Sequence, residues 1–140
     1  VPEPGASGVE AELQRVIRTR GKRYQDRMGE VALSAALGAV WEIVDAANHY
    51  LVQWAPWKLA EDPARRAELA TVLYASAEVL RVLAVLISPA MPEAAARLWE
   101  QLGMGEPLEG QRLPEAASWG GLEPGTRVRR GDALFPRLEA

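Results

Sequence analysis

The chain contains no cysteine and only one histidine. Without thiols, disulfide staples, thiolate metal sites and cysteine nucleophiles are all excluded. His49 has no second histidine at metal spacing; beside Asn48 it reads as an ordinary helix-face residue, so no metal ligand is expected. No glycine-rich phosphate loop of the Walker or dinucleotide type occurs. Carboxylates one turn apart, such as Glu42 and Asp45, read as a solvated helix face and not as an acid–base pair. No catalytic residue and no cofactor site are expected. The sequence also lacks a basic-plus-apolar leader and any uninterrupted apolar stretch near the ~18 residues of a membrane span. Its opening, Val-Pro-Glu-Pro-Gly without an initiator methionine, reads as that of a soluble internal or C-terminal piece of a longer protein. The absence of thiols is compatible with a reducing, cytoplasmic setting.

What is present fits one domain: 140 residues, of which 49% are apolar, are ample for a core. A net charge of −3 argues against a basic nucleic-acid coat, but the average hides a local run of Arg15, Arg18, Arg20, Lys22, Arg23 and Arg27, broken only by Asp26. Arg15, Arg18, Lys22 and Arg23 are candidate phosphate contacts, with a solvated helix face as the competing reading.

Residues 1–8 are rich in proline and glycine and read as a linker-like entry. From Val9 the spacing of Leu13, Val16 and Ile17 predicts a first helix to about Arg27. Gly29 interrupts weakly. Val31, Leu33, Leu37, Val40, Trp41, Val44, Ala47 and Leu51 then mark one broad face of a second helix, which Pro56 should end near Gln53. A corner is expected from Trp54 to about Asp62. Asp62 is a natural N-cap with Pro63 at the first helical position, and Leu69 through Ile87 carry a third helix to the Ser88-Pro89 stop. Pro92 begins a fourth helix, with Leu98 and Trp99 on its face and Gly103 at its end. Beyond residue 103 no helical period survives, and an irregular tail is expected over 104–140, with extended pieces at Thr126–Val128 and Leu134–Leu138. The fold class is therefore all-α: an antiparallel helical bundle over residues 1–103 and an irregular C-terminal extension packing back on it. Trp41 and Trp99, on apolar faces, read as core.

The corner carries the most chemistry. In Asn48-His49-Tyr50-Leu51-Val52-Gln53-Trp54-Ala55-Pro56-Trp57-Lys58, a proline stops a helical pattern between two tryptophans. Such a tryptophan either plugs the core at a bend or stands at the surface as a stacking platform for a base. Spacing alone leaves both open for Trp57. Trp54 reads as a partly exposed packing residue. Asn48, on the face of Val44 and Leu51, is either a structural hydrogen-bonding group or an RNA contact. Arg81 is expected to pair with Glu78 or Asp45 inside the bundle.

Asn48-x-Tyr50, Pro56-Trp57-Lys58-Leu59-Ala60, Val72-Leu73-Tyr74 with Glu78-Val79-Leu80-Arg81, Ser88-Pro89-Ala90-Met91-Pro92 and Trp99-Glu100-Gln101-Leu102-Gly103 follow one another in that order. Together with the ending Gly131-Asp132-Ala133-Leu134-Phe135-Pro136-Arg137-Leu138-Glu139, this order resembles the C-terminal anticodon-binding domain of bacterial-type methionyl-tRNA synthetases over roughly residues 28–139. Related class I synthetases share the helical bundle, but the Pro-Trp corner combined with the Leu-Phe-Pro-Arg ending favours methionine. The resemblance implies a partner, a methionine-specific tRNA with a CAU anticodon, and anticodon-binding residues Trp57, Pro56 and Asn48, with Trp57 stacking on the first anticodon base. It implies no role for DNA or a membrane.

The family's catalytic signatures for ATP and the adenylate have no counterpart here, so ATP and magnesium, and the attachment of methionine to tRNA, would belong to the catalytic domain of a parent enzyme. In the family the bundle begins with a helix upstream of the Val-Pro-Glu-Pro type of linker. That helix, which contributes an asparagine and an arginine to anticodon reading, is expected to precede Val1. The alternative from a different class is a helical protein-interaction module with no RNA ligand, in which the corner is a hydrophobic docking patch.

Overall fold

The structure, a computed structural model, describes residues 1–5 and 8–137; among them it contains five α-helices and no strand. Helix α1, Ala11–Gly29, sets Leu13, Ile17, Gly21 and Tyr24 on one buried stripe at helical spacing. It ends at Gly29, two residues beyond the expected Arg27. Val31 takes the left-handed conformation (φ 59°). Its N–H donates to the Met28 carbonyl at 3.0 Å, and that of Ala32 to the Arg27 carbonyl at 2.8 Å. This closure usually places glycine where Val31 stands. The short connection lays α2, Leu33–Trp54, antiparallel on α1, with Ala36, Ala39, Val40, Ile43 and Tyr50 buried.

Trp41 is not core: it is 53% exposed. The apolar face of α2 is wider than the contact it makes. Core positions run through Ala36, Val40 and Ile43, and Trp41, one residue past Val40, is turned about 100° away. Leu33 on α2, and Leu73 and Leu80 on α4, are likewise exposed apolar residues.

After a four-residue helix α3, Pro56–Leu59, Asp62 accepts a hydrogen bond from the Ala64 N–H at 2.9 Å. A single 3₁₀ turn, Pro63–Arg65, leads into α4, Arg66–Ile87. This is the hub of the fold, packed against α1, α2, α3 and α5. It is long and apolar enough to cross a membrane, yet 72% of its most apolar window is buried inside the protein, as befits a helix surrounded by others. Helix α5, Pro92–Gln101, buries Ala94, Ala95, Leu98 and Trp99, and the Trp99 indole N–H donates to the Glu106 carbonyl at 2.7 Å. Gly103 then turns at φ 75°, where a Cβ would collide with the Arg127 carbonyl.

The entry and the tail are both docked. The N–H of Gly5 donates to the Thr71 hydroxyl at 2.8 Å, and the N–H of Gly125 to the Val1 carbonyl at 2.6 Å. The tail is irregular apart from two 3₁₀ turns, Leu108–Gly110 and Glu115–Ala117. The 126–128 stretch forms no ladder; of the piece expected over 134–138, residues 134 and 135 form a bend and Leu138 lies outside the described residues.

A buried ion pair fastens the tail. Arg81 donates to Glu78 through two bonds of 2.8 Å and to the carbonyls of Ala116 and Ser118 at 2.6 Å. Glu78 accepts in turn from the N–H groups of Gly120, Gly121 and Leu122 at 2.7 to 3.0 Å. A Cβ on Gly121 would come within 2.6 Å of the Arg81 guanidinium carbon, so only glycine admits this approach. Asp45 is not the partner of Arg81.

Candidate nucleic-acid interface

The corner after α2 is built by one unusual residue. Pro56 cannot donate a hydrogen bond and disfavours helix at the residue before it. Ala55 accordingly leaves the helix for φ 40°, while its N–H still donates to the Leu51 carbonyl at 2.9 Å. Its carbonyl then accepts from the N–H of Lys58 at 2.8 Å and starts α3. Leu59, 2% exposed, anchors that turn in the core. With Leu59 turned in, Trp57 is turned out, at 58% exposure. It is not a core plug. Trp54 is partly buried against the core and meets Tyr50 in a tilted aromatic contact, ring centroids 6.5 Å apart. Pro56 is half-buried and Lys58 exposed beside Trp57. The result is an exposed indole on a fixed backbone corner, beside an ammonium with no ion pair among the described residues, a combination that suits an unstacked base next to a phosphate.

Asn48 is exposed and its side chain makes no hydrogen bond among the described residues. The structural role weighed for it is therefore not what the structure displays. It stands on the rim of a small apolar groove of about 120 Å³ between α2 and α4, with Val44, Leu51 and Leu80. Tyr50 lines the same groove, its hydroxyl buried without a partner. Burial, and secondarily the charge of Glu10, push its ionisation well above that of a free phenol. His49 is exposed, with Nδ1 at 2.8 Å from the Asp45 carbonyl of its own helix.

The structure divides the basic run. Arg15 pairs with Glu12, Lys22 with Asp26 at 3.0 Å, and Arg23 with Glu42 at 2.8 Å, joined there by Arg20. Glu42 is thus the bridge between α1 and α2, not the partner of Asp45. Arg18 makes no ion pair among the described residues. No group of His, Asp or Glu side chains that could hold a metal occurs among the described residues. Sequence reasoning missed α3 and the exposed Lys58 within it. The Pro-at-first-position signal used for α4 was present at Pro56 as well.

A family model described as the anticodon binding domain of methionyl tRNA ligase matches residues 1–140. The chain is 38% identical over 140 residues to a methionine–tRNA ligase of Caldanaerobacter subterraneus, covering 99% of this chain and 22% of the relative. It is 43% identical over 116 residues to that of Streptomyces coelicolor, covering 79% and 21%. It thus spans about a fifth of the length of these relatives. The apo form of Mycobacterium tuberculosis methionyl-tRNA synthetase superposes with a TM-score of 0.87 at 33% identity, over 100% of this chain and 28% of that one. The same enzyme bound by methionyl-adenylate superposes at 0.85 and 34%, over 97% and 27%. With the helical bundle, the Pro-Trp corner and this similarity along its whole length, the chain belongs to the family of methionyl-tRNA ligase anticodon-binding domains.

Proposed function

We propose that this chain recognises the CAU anticodon of a methionine-specific tRNA on behalf of a parent ligase that attaches methionine to that tRNA with ATP. The exposed indole of Trp57, held outward by Ala55, Pro56 and the buried Leu59, carries the reading. An anticodon loop presents unstacked bases, and a platform that is already rigid loses little freedom on binding. Trp57 stacks on the first anticodon base, Pro56 sets the corner, and Asn48 offers its free amide to a base edge. Arg18, with Arg15, Lys22 and Arg23 in a lesser role because carboxylates already hold them, meets backbone phosphates. ATP and magnesium belong to the catalytic domain of the parent, a cytoplasmic enzyme. The exposed apolar residues Leu33, Trp41, Leu73 and Leu80 support a further part of this reading, that a helix of the parent preceding the bundle covers some of them.

The test is a titration with an unmodified CAU anticodon stem-loop and a scrambled loop, followed by tryptophan fluorescence. Quenching by CAU alone is expected. Equal responses to both loops would remove the anticodon reading and leave the corner as a protein-docking patch.

A further inference from the structure

Far from the corner, α1 and the tail enclose a second cleft of about 520 Å³, within the range of small-ligand sites. One wall is the α1 face carrying Gln14, Arg18 and Gln25; the other is the tail segment with Pro114 and the half-buried Trp119. Its floor includes Gly21. This glycine lies inside a helix, where it costs about 0.5–1 kcal/mol relative to alanine, and a Cβ there would meet nothing within 4 Å. No neighbour requires it. What its missing side chain leaves is room in the cleft.

The groups around that room belong together chemically. Arg18 presents a planar guanidinium with no ion-pair partner among the described residues, suited to gripping a phosphate. Lys22 is held by Asp26 at 3.0 Å, so the cleft offers one free cation, and Asp26 disfavours a second phosphate. Trp119 offers an indole for a flat ring. Gln14 and Gln25 carry amides that both donate and accept, as base edges require; among the described residues the Gln25 amide makes one bond, a long one of 3.4 Å to the Gly21 carbonyl. One phosphate, one flat ring and mixed-polarity edges describe a single nucleotide unit. Arg20 and Arg23, turned away from the cleft on α1, both reach Glu42, so the cleft is level with the middle of α2 but across α1 from it, and Glu42 itself stands about 15–20 Å along the α2 axis from Trp54 at 1.5 Å per residue. Only an RNA larger than one loop reaches both places.

We propose that this cleft is a second RNA-contact site, in which Arg18 binds a backbone phosphate and Trp119 stacks the adjoining base of the tRNA already engaged at Trp57. The proposal rests on the tRNA-binding reading above. Its test measures binding of the chain to a CAU-bearing methionine tRNA transcript across a salt series, for the wild type and for Arg18→Ala, Gly21→Met, Arg27→Ala and Trp57→Ala. Arg18→Ala is expected to weaken binding roughly ten-fold and to reduce the salt slope by about one. Gly21→Met puts a flexible side chain into the cleft from a Cβ position with no neighbour within 4 Å and is expected to weaken binding as much while leaving the melting temperature equal or higher, since a helical glycine is replaced. Arg27→Ala, off the cleft and paired with Glu30, is expected to stay within about two-fold.

Unchanged affinity in Arg18→Ala and Gly21→Met, with a loss in Trp57→Ala, would overturn the cleft and keep the corner. The reverse pattern would keep the cleft and overturn the corner. An equal loss in Arg27→Ala would reduce the effect to general electrostatics, and no binding by the wild type would overturn both sites. A parallel titration with AMP separates the two sources of a nucleotide: saturable AMP binding lost in Gly21→Met, with tRNA binding unaffected, would replace the RNA assignment by a free nucleotide.

Discussion

Truncating Trp57 to alanine separates the two roles a tryptophan at a bend can have. At 58% exposure, the residue retains less than half of its surface in contact with the protein. A tryptophan presents up to about 250 Å². The part in contact is therefore on the order of 100 Å², worth at most about 2.5 kcal/mol at 25 cal/mol per Å². Because the indole lies on the surface, its removal leaves no enclosed cavity, and a destabilisation of about 1 kcal/mol is expected. The exposed part is large enough for one base stack, about 1–3 kcal/mol, or roughly 5- to 150-fold in affinity for a CAU stem-loop. Trp99→Ala provides the contrast. That residue is 5% exposed and holds the Glu106 carbonyl, so its truncation combines a cavity with a lost hydrogen bond and is expected to cost about 3–5 kcal/mol. The assay is thermal or denaturant unfolding of each variant beside stem-loop titration. A Trp57→Ala protein destabilised as much as Trp99→Ala, with undiminished preference for CAU over a scrambled loop, would refute the reasoning.

Ala55→Gly relieves a left-handed alanine and is expected to leave stability unchanged or raise it by up to about 1 kcal/mol, while RNA affinity falls as the corner loosens; stability and affinity falling together would contradict this. Glu78→Gln leaves the Arg81 guanidinium buried without its counter-charge and should cost about 3–5 kcal/mol and expose the tail to trypsin, whereas a melting temperature within a degree or two of wild type would exclude the ion pair as the fastening. Burial raises the phenol ionisation of Tyr24, Tyr50 and Tyr74 above the ordinary value of 10.0. The unfolded chain loses those protons first, so stability is full below pH 10 and falls as the pH rises beyond it; phenolate absorbance appearing at pH 10 in the folded protein would overturn this. If a helix of the parent precedes the bundle as proposed, extending the chain with it is expected to raise the unfolding midpoint, since covering about 200 Å² of the exposed Leu33 and Trp41 surface contributes about 5 kcal/mol before ordering costs; equal midpoints for two monomeric proteins would count against it.

The sequence by itself determined the four longer helices and their order, though not the short α3, because local rules decide them. Pro56, Pro63, Pro89 and Pro92 remove donors at fixed places, Asp62 supplies a cap, and the apolar spacing within each segment sets which stripe turns inward. It also determined that the Pro-Trp turn is the place to look for function, since proline and two tryptophans share one short stretch, and that Arg81 answers Glu78, three residues away on the same helix face. What periodicity cannot say is how much of an apolar face is used. Trp41 lies within the same apolar pattern as Val40, and only the positions of α1 and α4 decide that Val40 is covered and Trp41 is not. The same holds for Trp57: its exposure follows from Leu59 reaching the core, a contact between residues of different elements. The tail shows the limit most plainly. The N–H groups of Gly120, Gly121 and Leu122 find their acceptor in Glu78, more than forty residues away, and Trp119 comes to face Arg18 only because that bond holds it there. Partners so distant leave no period in the chain, so long-range hydrogen bonding, not local propensity, places the tail and the cleft beside α1.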